Sequence, residues 1–574
     1  MNLTDLYPNK ATMTEHAPLN VASRARQSLN IIREESIKKR YEGEDKTIRS
    51  LSQTNNTATC LVTPRSTFSG DIGIQLDKDK ASRIKGHLTI DTETITQYLT
   101  FQVNPHRYKA LEDRAKQGPI PIKIFYDNTP LLRSVEDAME RGLNTKDTLL
   151  GHLFCSHNIQ YRSLDEFPPH ITEGNTGQRN AYQKLRNHRV ALVQGLPGSG
   201  KTRLMVSILK NCITKKATWL AETNETCEML VLRAKKAGLD PVLLLAKNKR
   251  TPRNPELNAL TAEAIAQKYR LNIDKVITAA SLLVMTTSLA TTHQTVQIQR
   301  HSDLLLIDEA GMIPSYRFAG LRTLLTSHLL ICGDDKQNPP YKEQKGEFAY
   351  LIQNHPRLAA TLLKQYRMHP SISRLSNALA YGGEMRDGTQ YMEPLPKTLP
   401  WFLSGRLILI DTPSPHHQVG NSSVNKMHLN LTLALYWILK DIYDLRNVQA
   451  LSLYEAHASE LTIALIPCFS EAPTPLSVIQ AQGNEFPVVI LNMVKAGPGF
   501  PTNPQVINVA VSRAQTQLYI IADSKGLLES PMWNDIRKFW FDANNEYANN
   551  EFGKRNVKAE TILGAALSHR WNGI

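Results

Sequence analysis

The stretch Gly195-Leu196-Pro197-Gly198-Ser199-Gly200-Lys201-Thr202 follows the apolar run 190–193 and leads into a helical pattern over 202–211. It fits G-x-x-x-x-G-K-[ST], and a position between a strand and a helix is the setting that this motif needs. Its glycines let the backbone turn tightly and aim N–H groups at phosphate oxygens, while the following helix presents the positive end of its dipole. Lys201 would neutralise charge on β- and γ-phosphates, and Thr202 would ligate Mg2+. Gly195, Pro197, Gly198, Ser199, Gly200, Lys201 and Thr202 are therefore candidate nucleotide-binding residues. A Gly-rich turn that matches by accident is the competing reading, and the strand and helix on either side argue against it.

Outward from this loop, short apolar runs alternate with helical segments at 218–221, 242–245, 282–286, 304–307 and 329–332. A second series follows a helix-rich interval, at 407–410, 450–453, 488–491 and 518–521. Continuous apolar runs joined by helices are what parallel strands buried on both faces require. The reading is α/β, with two tandem parallel-sheet domains at 173–345 and 346–545. The run 304–307 ends in Asp308-Glu309. Downstream of a phosphate loop, an apolar strand ending in two acids supplies one carboxylate to hold magnesium (Asp308) and one to take a proton from attacking water (Glu309). Acids at a strand end are otherwise simply solvated.

Residues 1–56 are polar, with a helical pattern over 20–41 and the loop-like run Ser52-Gln53-Thr54-Asn55-Asn56. They are expected to form an N-terminal segment that is helical in part and otherwise flexible. Residues 57–125 turn to β-branched runs such as Cys60-Leu61-Val62 and Ile72-Gly73-Ile74, which predict a small β-rich domain. Helical patterns at 131–141 and 145–155 fall in a connection over 126–172, and 546–574 read as a C-terminal tail. The six cysteines show no C-x-x-C pair or zinc spacing. Apolar stretches fall short of the ~18 residues of a membrane helix, so a soluble, intracellular monomer away from membranes is expected, with cytoplasm and nucleus left open. In a chain of 574 residues, a net charge of +14 favours a polyanionic partner, although a bland basic surface gives the same count. The basic run Lys247-Asn248-Lys249-Arg250-Thr251-Pro252-Arg253 reads as a solvated loop.

Beyond the phosphate site, Gly333-Asp334-Asp335-Lys336-Gln337-Asn338-Pro339-Pro340 resembles motif III of superfamily 1 helicases. Lys364-Gln365-Tyr366-Arg367-Met368-His369-Pro370 carries the Q-Y-R-M-H-P of the up-frameshift, nonsense-mediated-decay-like type (superfamily 1B). Gln482-Gly483-Asn484-Glu485 resembles motif V, and Asn508-Val509-Ala510-Val511-Ser512-Arg513-Ala514 resembles motif VI. Gln178 resembles the adenine-reading glutamine, Ala221-Glu222-Thr223-Asn224 motif Ia, and 283–287 motif Ic, all in the family's order.

This resemblance implies two RecA-like domains preceded by a 1B-like accessory barrel and stalk-like helices. It implies ATP and Mg2+ as cofactors. Gln178 would pair with the adenine edge and Tyr366 would stack on the ring; Gln337 would sense the γ-phosphate or orient water. Arg367 and Arg513, from the second domain, would be arginine fingers, and Glu485 would bind the ribose. Asn224 and Thr286 or Thr287 would contact phosphates of a single strand of RNA or DNA, although Asn and Thr at such ends are more often caps.

Three departures are visible. Met312 stands where the family keeps glutamine, Ser452-Leu453-Tyr454-Glu455-Ala456-His457 keeps only the tyrosine of motif IV, and the interval before Ser477 is short. The family's Cys/His-rich zinc module has no counterpart here. The expected function is ATP hydrolysis coupled to 5′→3′ movement on single-stranded nucleic acid, with duplex unwinding as output. The rivals are a non-unwinding nucleic-acid-binding scaffold derived from a helicase, and a P-loop kinase or GTPase, which would have no need of motifs III to VI.

Overall fold

The computed structural model describes residues 21–41, 44–54, 57–63, 70–75, 83–90, 97–103, 105–125, 129–145, 148–155, 168–171, 173–211, 216–246, 252, 254–291, 301–340, 343, 345–388, 394–537 and 554–571. The chain divides into two units, 1–35 with 129–366, and 36–128 with 367–574.

In the second unit, six strands close into an antiparallel barrel: β1 (Glu44–Thr54), β2 (Thr57–Thr63), β3 (Gly70–Gln75), β4 (Arg83–Ile90), β5 (Gln97–Gln102) and β6 (Ile120–Phe125), in the order β1-β2-β5-β4-β3-β6. Period-two alternation sends Ala58, Cys60 and Val62, then Ile120, Ile122 and Ile124, into its interior. The helix Pro105–Gln117 adds Leu111 to that core. The barrel thus starts earlier than the boundary expected at residue 57, and Ser52 to Thr54 pair with β2 instead of looping. β1 hides its alternation because Lys46 occupies a buried position and the register shifts between Ile48 and Ser50.

The first unit is built on a seven-stranded parallel sheet: β7 (Val190–Gly195), β8 (Ala217–Ala221), β9 (Pro241–Leu243), β10 (Leu282–Thr286), β11 (Ser302–Ile307), β12 (Thr326–Gly333) and β13 (Ala359–Leu362), in the order β13-β7-β12-β11-β8-β10-β9. Its middle strands are covered on both faces. Val190, Leu192, Leu305, Ile307, Leu329 and Ile331 enter one core, and Ala191, Val193, Leu304, Leu306, Leu330 and Cys332 enter the other. At about 1.5–3 kcal/mol for each fully buried large aliphatic side chain, such two-sided burial fixes the register of these strands.

The first core is closed partly by the helix Val21–Tyr41, whose Val21, Ala22, Ala25 and Leu29 are buried in it. Its Arg24 forms a two-pronged pair with Glu347, Nε to Oε2 at 2.8 Å and NH2 to Oε1 at 2.5 Å. The helix expected over 20–41 is thus present as Val21–Tyr41, and over 21–35 it is part of the first unit's core, while residues 1–20 lie outside the described residues. The boundary expected at 345 also moves, because β13 pairs with β7 in the first sheet and the helix Glu347–Asn354 buries Phe348 and Leu351 in that unit's core. β13 is a four-residue edge strand reading Ala-Ala-Thr-Leu, too short and too small to stand out as an apolar run.

A second parallel sheet lies in the second unit: β14 (Leu407–Asp411), β15 (Val448–Ser452), β16 (Leu476–Ser477), β17 (Phe486–Asn492), β18 (Ala514–Ala522) and β19 (Lys554–Lys558), in the order β16-β15-β17-β18-β14-β19. Ile408, Ile410, Ala450, Ile490 and Ile521 pack with the helix Lys426–Leu439. The tail expected at 546–574 is, over its described part, an integral edge: β19 pairs with β14, and Val557 and Ile562 are buried. Among the described residues no helix is long and apolar enough to cross a membrane. Most of the basic run 247–253 lies outside them.

Candidate nucleotide site

The phosphate loop joins β7 to the helix Lys201–Asn211, at the carboxyl edge of the first sheet where open α/β sheets bind their ligands. Lys201 is 9% exposed, and its Nζ donates to the Gly195 carbonyl at 2.8 Å and to that of Leu196 at 3.5 Å. A Cβ on Gly195 would lie 2.3 Å from Lys201 Cγ, so only glycine leaves room for this side chain to fold over the loop. Gly200 takes a φ of 81°, the left-handed region that glycine reaches without strain. The Ser199 hydroxyl is buried with no hydrogen-bond partner among the described residues. A buried donor left over beside a lysine that bonds only carbonyls fits a cradle for phosphate oxygens.

Asp308 ends β11, and the Thr202 hydroxyl donates to its Oδ2 at 3.3 Å. Burial and the neighbouring Glu309 carboxylate hold the Asp308 carboxyl above its ordinary range, against the pull of Lys201. A site with this shortage of positive charge suits a divalent cation held by Thr202 and Asp308, since Mg2+ takes few protein ligands and relies on phosphates for the rest. Glu309 adopts φ 51° and ψ 39°, a left-handed conformation that costs a non-glycine residue about 1–3 kcal/mol. Its N–H donates to Asp308 Oδ1 at 2.9 Å.

Asp334, at the end of β12, accepts from Gln194 Nε2 and from Gln337 Nε2, each at 2.9 Å. Gln337 is thereby held 4% exposed beside the strand that carries the phosphate loop. Gln194 and Asp334 were not singled out in the sequence as site residues. Neither makes a chemical step of its own, so no motif chemistry pointed to them.

Gln178 is the third residue of the helix Thr176–His188 and completes a capping box with Asn175. Its Oε1 accepts from Asn175 N at 2.9 Å, and its Nε2 donates to the Gly200 carbonyl at 3.2 Å. Tyr366 joins the same place: its N–H donates to the Gly198 carbonyl at 2.9 Å, and its hydroxyl accepts from Asn175 Nδ2 at 3.1 Å. Gln178 therefore braces the phosphate loop and keeps one Oε1 lone pair for a base edge. The Asn175-x-x-Gln178 spacing was the available signal for this brace.

In the second unit, Arg367 Nε donates to Glu485 Oε2 at 2.6 Å and its NH1 to the Ser512 carbonyl at 3.1 Å. Arg513 is 2% exposed and donates to the Val509 carbonyl, the Asn484 carbonyl and the Ser512 hydroxyl. Arg367, Glu485 and Arg513 thus meet around Ser512, although they come from three separate motifs.

The three residues expected to touch nucleic acid differ in kind. Asn224 opens the helix Asn224–Lys236, with Thr223 as its cap. Thr286 caps the short helix after β10, accepting from Leu289 N at 3.2 Å. Thr287 corrects the expectation of a side-chain contact: it is fully buried and its hydroxyl proton is given to Glu222 Oε2.

Family models described as AAA domains match residues 173–393 and 344–525. The DNA replication ATP-dependent helicase/nuclease JHS1 of Arabidopsis thaliana is 23% identical over 435 residues, 66% of this chain and 32% of that protein. The Regulator of nonsense transcripts 1 homolog of Arabidopsis thaliana is 22% identical over 503 residues, covering 74% and 40%. The ATP-dependent helicase NAM7 of Saccharomyces cerevisiae is 21% identical over 465 residues, covering 70% and 48%. The chain spans a third to a half of the length of these relatives. By its motifs, its two parallel sheets and these relatives, the chain is related to the superfamily 1 ATP-dependent helicases of the up-frameshift type.

Proposed function

We propose that the protein hydrolyses ATP and couples hydrolysis to 5′→3′ movement along single-stranded RNA or DNA, with duplex unwinding as the output. The observation that carries this reading is the Lys201, Thr202 and Asp308 arrangement at the carboxyl edge of the first sheet, beside the Asp334-braced Gln337. Gln178 and Tyr366 hold the base, Lys201 draws charge from the β- and γ-phosphates, and Thr202 with Asp308 holds Mg2+. The ion supplies Lewis-acid neutralisation of phosphate charge when bound. Glu309 orients water and accepts its proton, and Gln337 senses the γ-phosphate. Arg367 and Arg513 act as the fingers on charge that develops in the transition state, and Glu485 takes the ribose hydroxyls once Arg367 is drawn from it. Asn224 and Thr286 belong to the strand-binding loops.

Steady-state ATP turnover with and without oligonucleotide tests this reading. Turnover that RNA or DNA stimulates and that Lys201→Ala abolishes supports it; turnover indifferent to both polymers points to another P-loop enzyme. No turnover at all, with oligonucleotide binding retained, points to a scaffold. Strand displacement from 5′- and 3′-tailed duplexes assigns the direction.

A further inference from the structure

A buried polar cluster in the first unit takes no part in the steps above. Glu222 follows β8, Thr287 follows β10, and Arg317 lies on the helix Ser315–Leu321, shortly after Asp308 and Glu309. Arg317 NH1 donates to Glu222 Oε1, the Thr287 hydroxyl donates to Glu222 Oε2, and Arg317 NH2 donates to the Tyr316 hydroxyl at 2.9 Å. Glu222 and Arg317 are each 15% exposed. Burial pushes the Glu222 carboxyl up, and Arg317 and Thr287 pull it back. Burial also works against the Arg317 guanidinium, and Glu222 more than offsets it.

The first turn of the helix carrying Arg317 is held a second time. Ser315 donates to Glu343 through its N–H at 3.0 Å and its hydroxyl at 2.8 Å, and Glu343 lies just past the motif III segment. Gly311 packs so closely on motif III that a Cβ there would lie 2.6 Å from the Asp334 carbonyl oxygen. The segment from Gly311 to Arg317 therefore ties Asp308, Glu309 and Asp334 to Glu222 after β8 and, through Glu222, to Thr287 after β10. Met312, between them, has no strong hydrogen-bonding group with which to make that tie.

We propose that the Glu222–Arg317 pair is the element through which nucleic acid on these loops sets the position of the hydrolytic residues, so that it governs stimulation of turnover. Both are positioning residues, and the proposal rests on the reading of the nucleotide and strand sites given under Proposed function. A strand that shifts the loop after β8 moves Glu222, and the charge pair carries the shift into the helix that follows Glu309. The pair is a strong lever because a buried carboxylate cannot leave its guanidinium cheaply.

The test uses the full chain with Arg317→Met, Glu222→Gln, the double variant E222Q/R317M, and Arg317→Lys. Thermal midpoint, basal ATP turnover, and turnover at saturating oligo(U) or oligo(dT) are read for each. The double variant matters because it leaves no uncompensated charge in the cluster and keeps the fold testable. The expected result is near-wild-type basal turnover with stimulation reduced about tenfold, inside the 5–150-fold range of ordinary site-to-site coupling, and partial recovery in Arg317→Lys. A folded double variant with wild-type stimulation overturns the proposal, as does an equal fall of basal and stimulated turnover. A wild-type enzyme that hydrolyses ATP without stimulation by either polymer overturns the functional reading itself.

Discussion

Replacing Arg24 by methionine leaves Glu347, whose side chain is 0% exposed, with a carboxylate that has lost both prongs of its guanidinium partner. Breaking a buried pair by removing one member costs about 3–5 kcal/mol. Glu347 opens the helix Glu347–Asn354, and the positive end of that dipole returns about 1 kcal/mol. The net loss is therefore about 2–4 kcal/mol, which at about 2–4 °C per kcal/mol for a large domain lowers the melting temperature by about 5–15 °C. Removing the stranded charge as well, in R24M/E347Q, should recover most of this, because a buried ion pair exchanged for neutral groups is close to neutral in stability. Calorimetric unfolding of Arg24→Met, Glu347→Gln and the double variant beside wild type measures the cycle. A shift in Arg24→Met of less than about 2 °C would show that the N-terminal helix is not part of the first unit's core, and would refute the reasoning.

Gly142 faces a similarly strict limit, since a Cβ there would sit 1.8 Å from the Ala319 carbonyl oxygen; Gly142→Ala should cost at least the about 1–3 kcal/mol of ordinary overpacking, seen as a lowered denaturant midpoint. Burial, then His457 and His417, depresses two histidines of the second unit, His428 to about 3 and His457 to about 4, from an ordinary 6.5. The unfolded chain then binds more protons than the folded one, so their contribution to stability is complete above 6.5 and is lost as pH falls through 4 and 3. Protonation would also stop His428 Nδ1 from accepting the Val494 N–H, a bond of 3.2 Å that holds a β-branched residue at φ 70°. Denaturant midpoints that stay flat from neutral pH into this range contradict the assignment. Glu309→Gln should retain ATP binding and lose turnover by about 10²–10⁴-fold, read as nucleotide affinity against kcat.

What could be read from the sequence followed the physics of each segment. β7, β11 and β12 stand out because burial on both faces demands unbroken apolar runs. β13 and β19 do not, because an edge strand needs only one good face, and Lys554-Arg555-Asn556-Val557-Lys558 has valine as its one apolar residue. The helical pattern of the N-terminal segment is legible, but its place in the core is not, because two of its four apolar core residues are alanines, whose weak signal is lost among Arg and Ser. The phosphate loop was legible because its chemistry is contiguous. The Glu222–Arg317 pair was not, since its members lie 95 residues apart and Arg317, unlike Glu222, lies in no motif. Thr286 and Thr287 could not be told apart by type: where the helix after β10 begins decides which caps it and which is buried.

The central claim is a nucleic-acid-stimulated ATPase centred on Lys201, and steady-state turnover of the full chain, with and without oligo(U) or oligo(dT), tests it most directly. Turnover should rise with at least one polymer, and should disappear in Lys201→Ala without a change in melting temperature, since Lys201 bonds only its own loop carbonyls among the described contacts. Turnover that persists in a folded Lys201→Ala protein, or that neither polymer alters in wild type, would contradict the account.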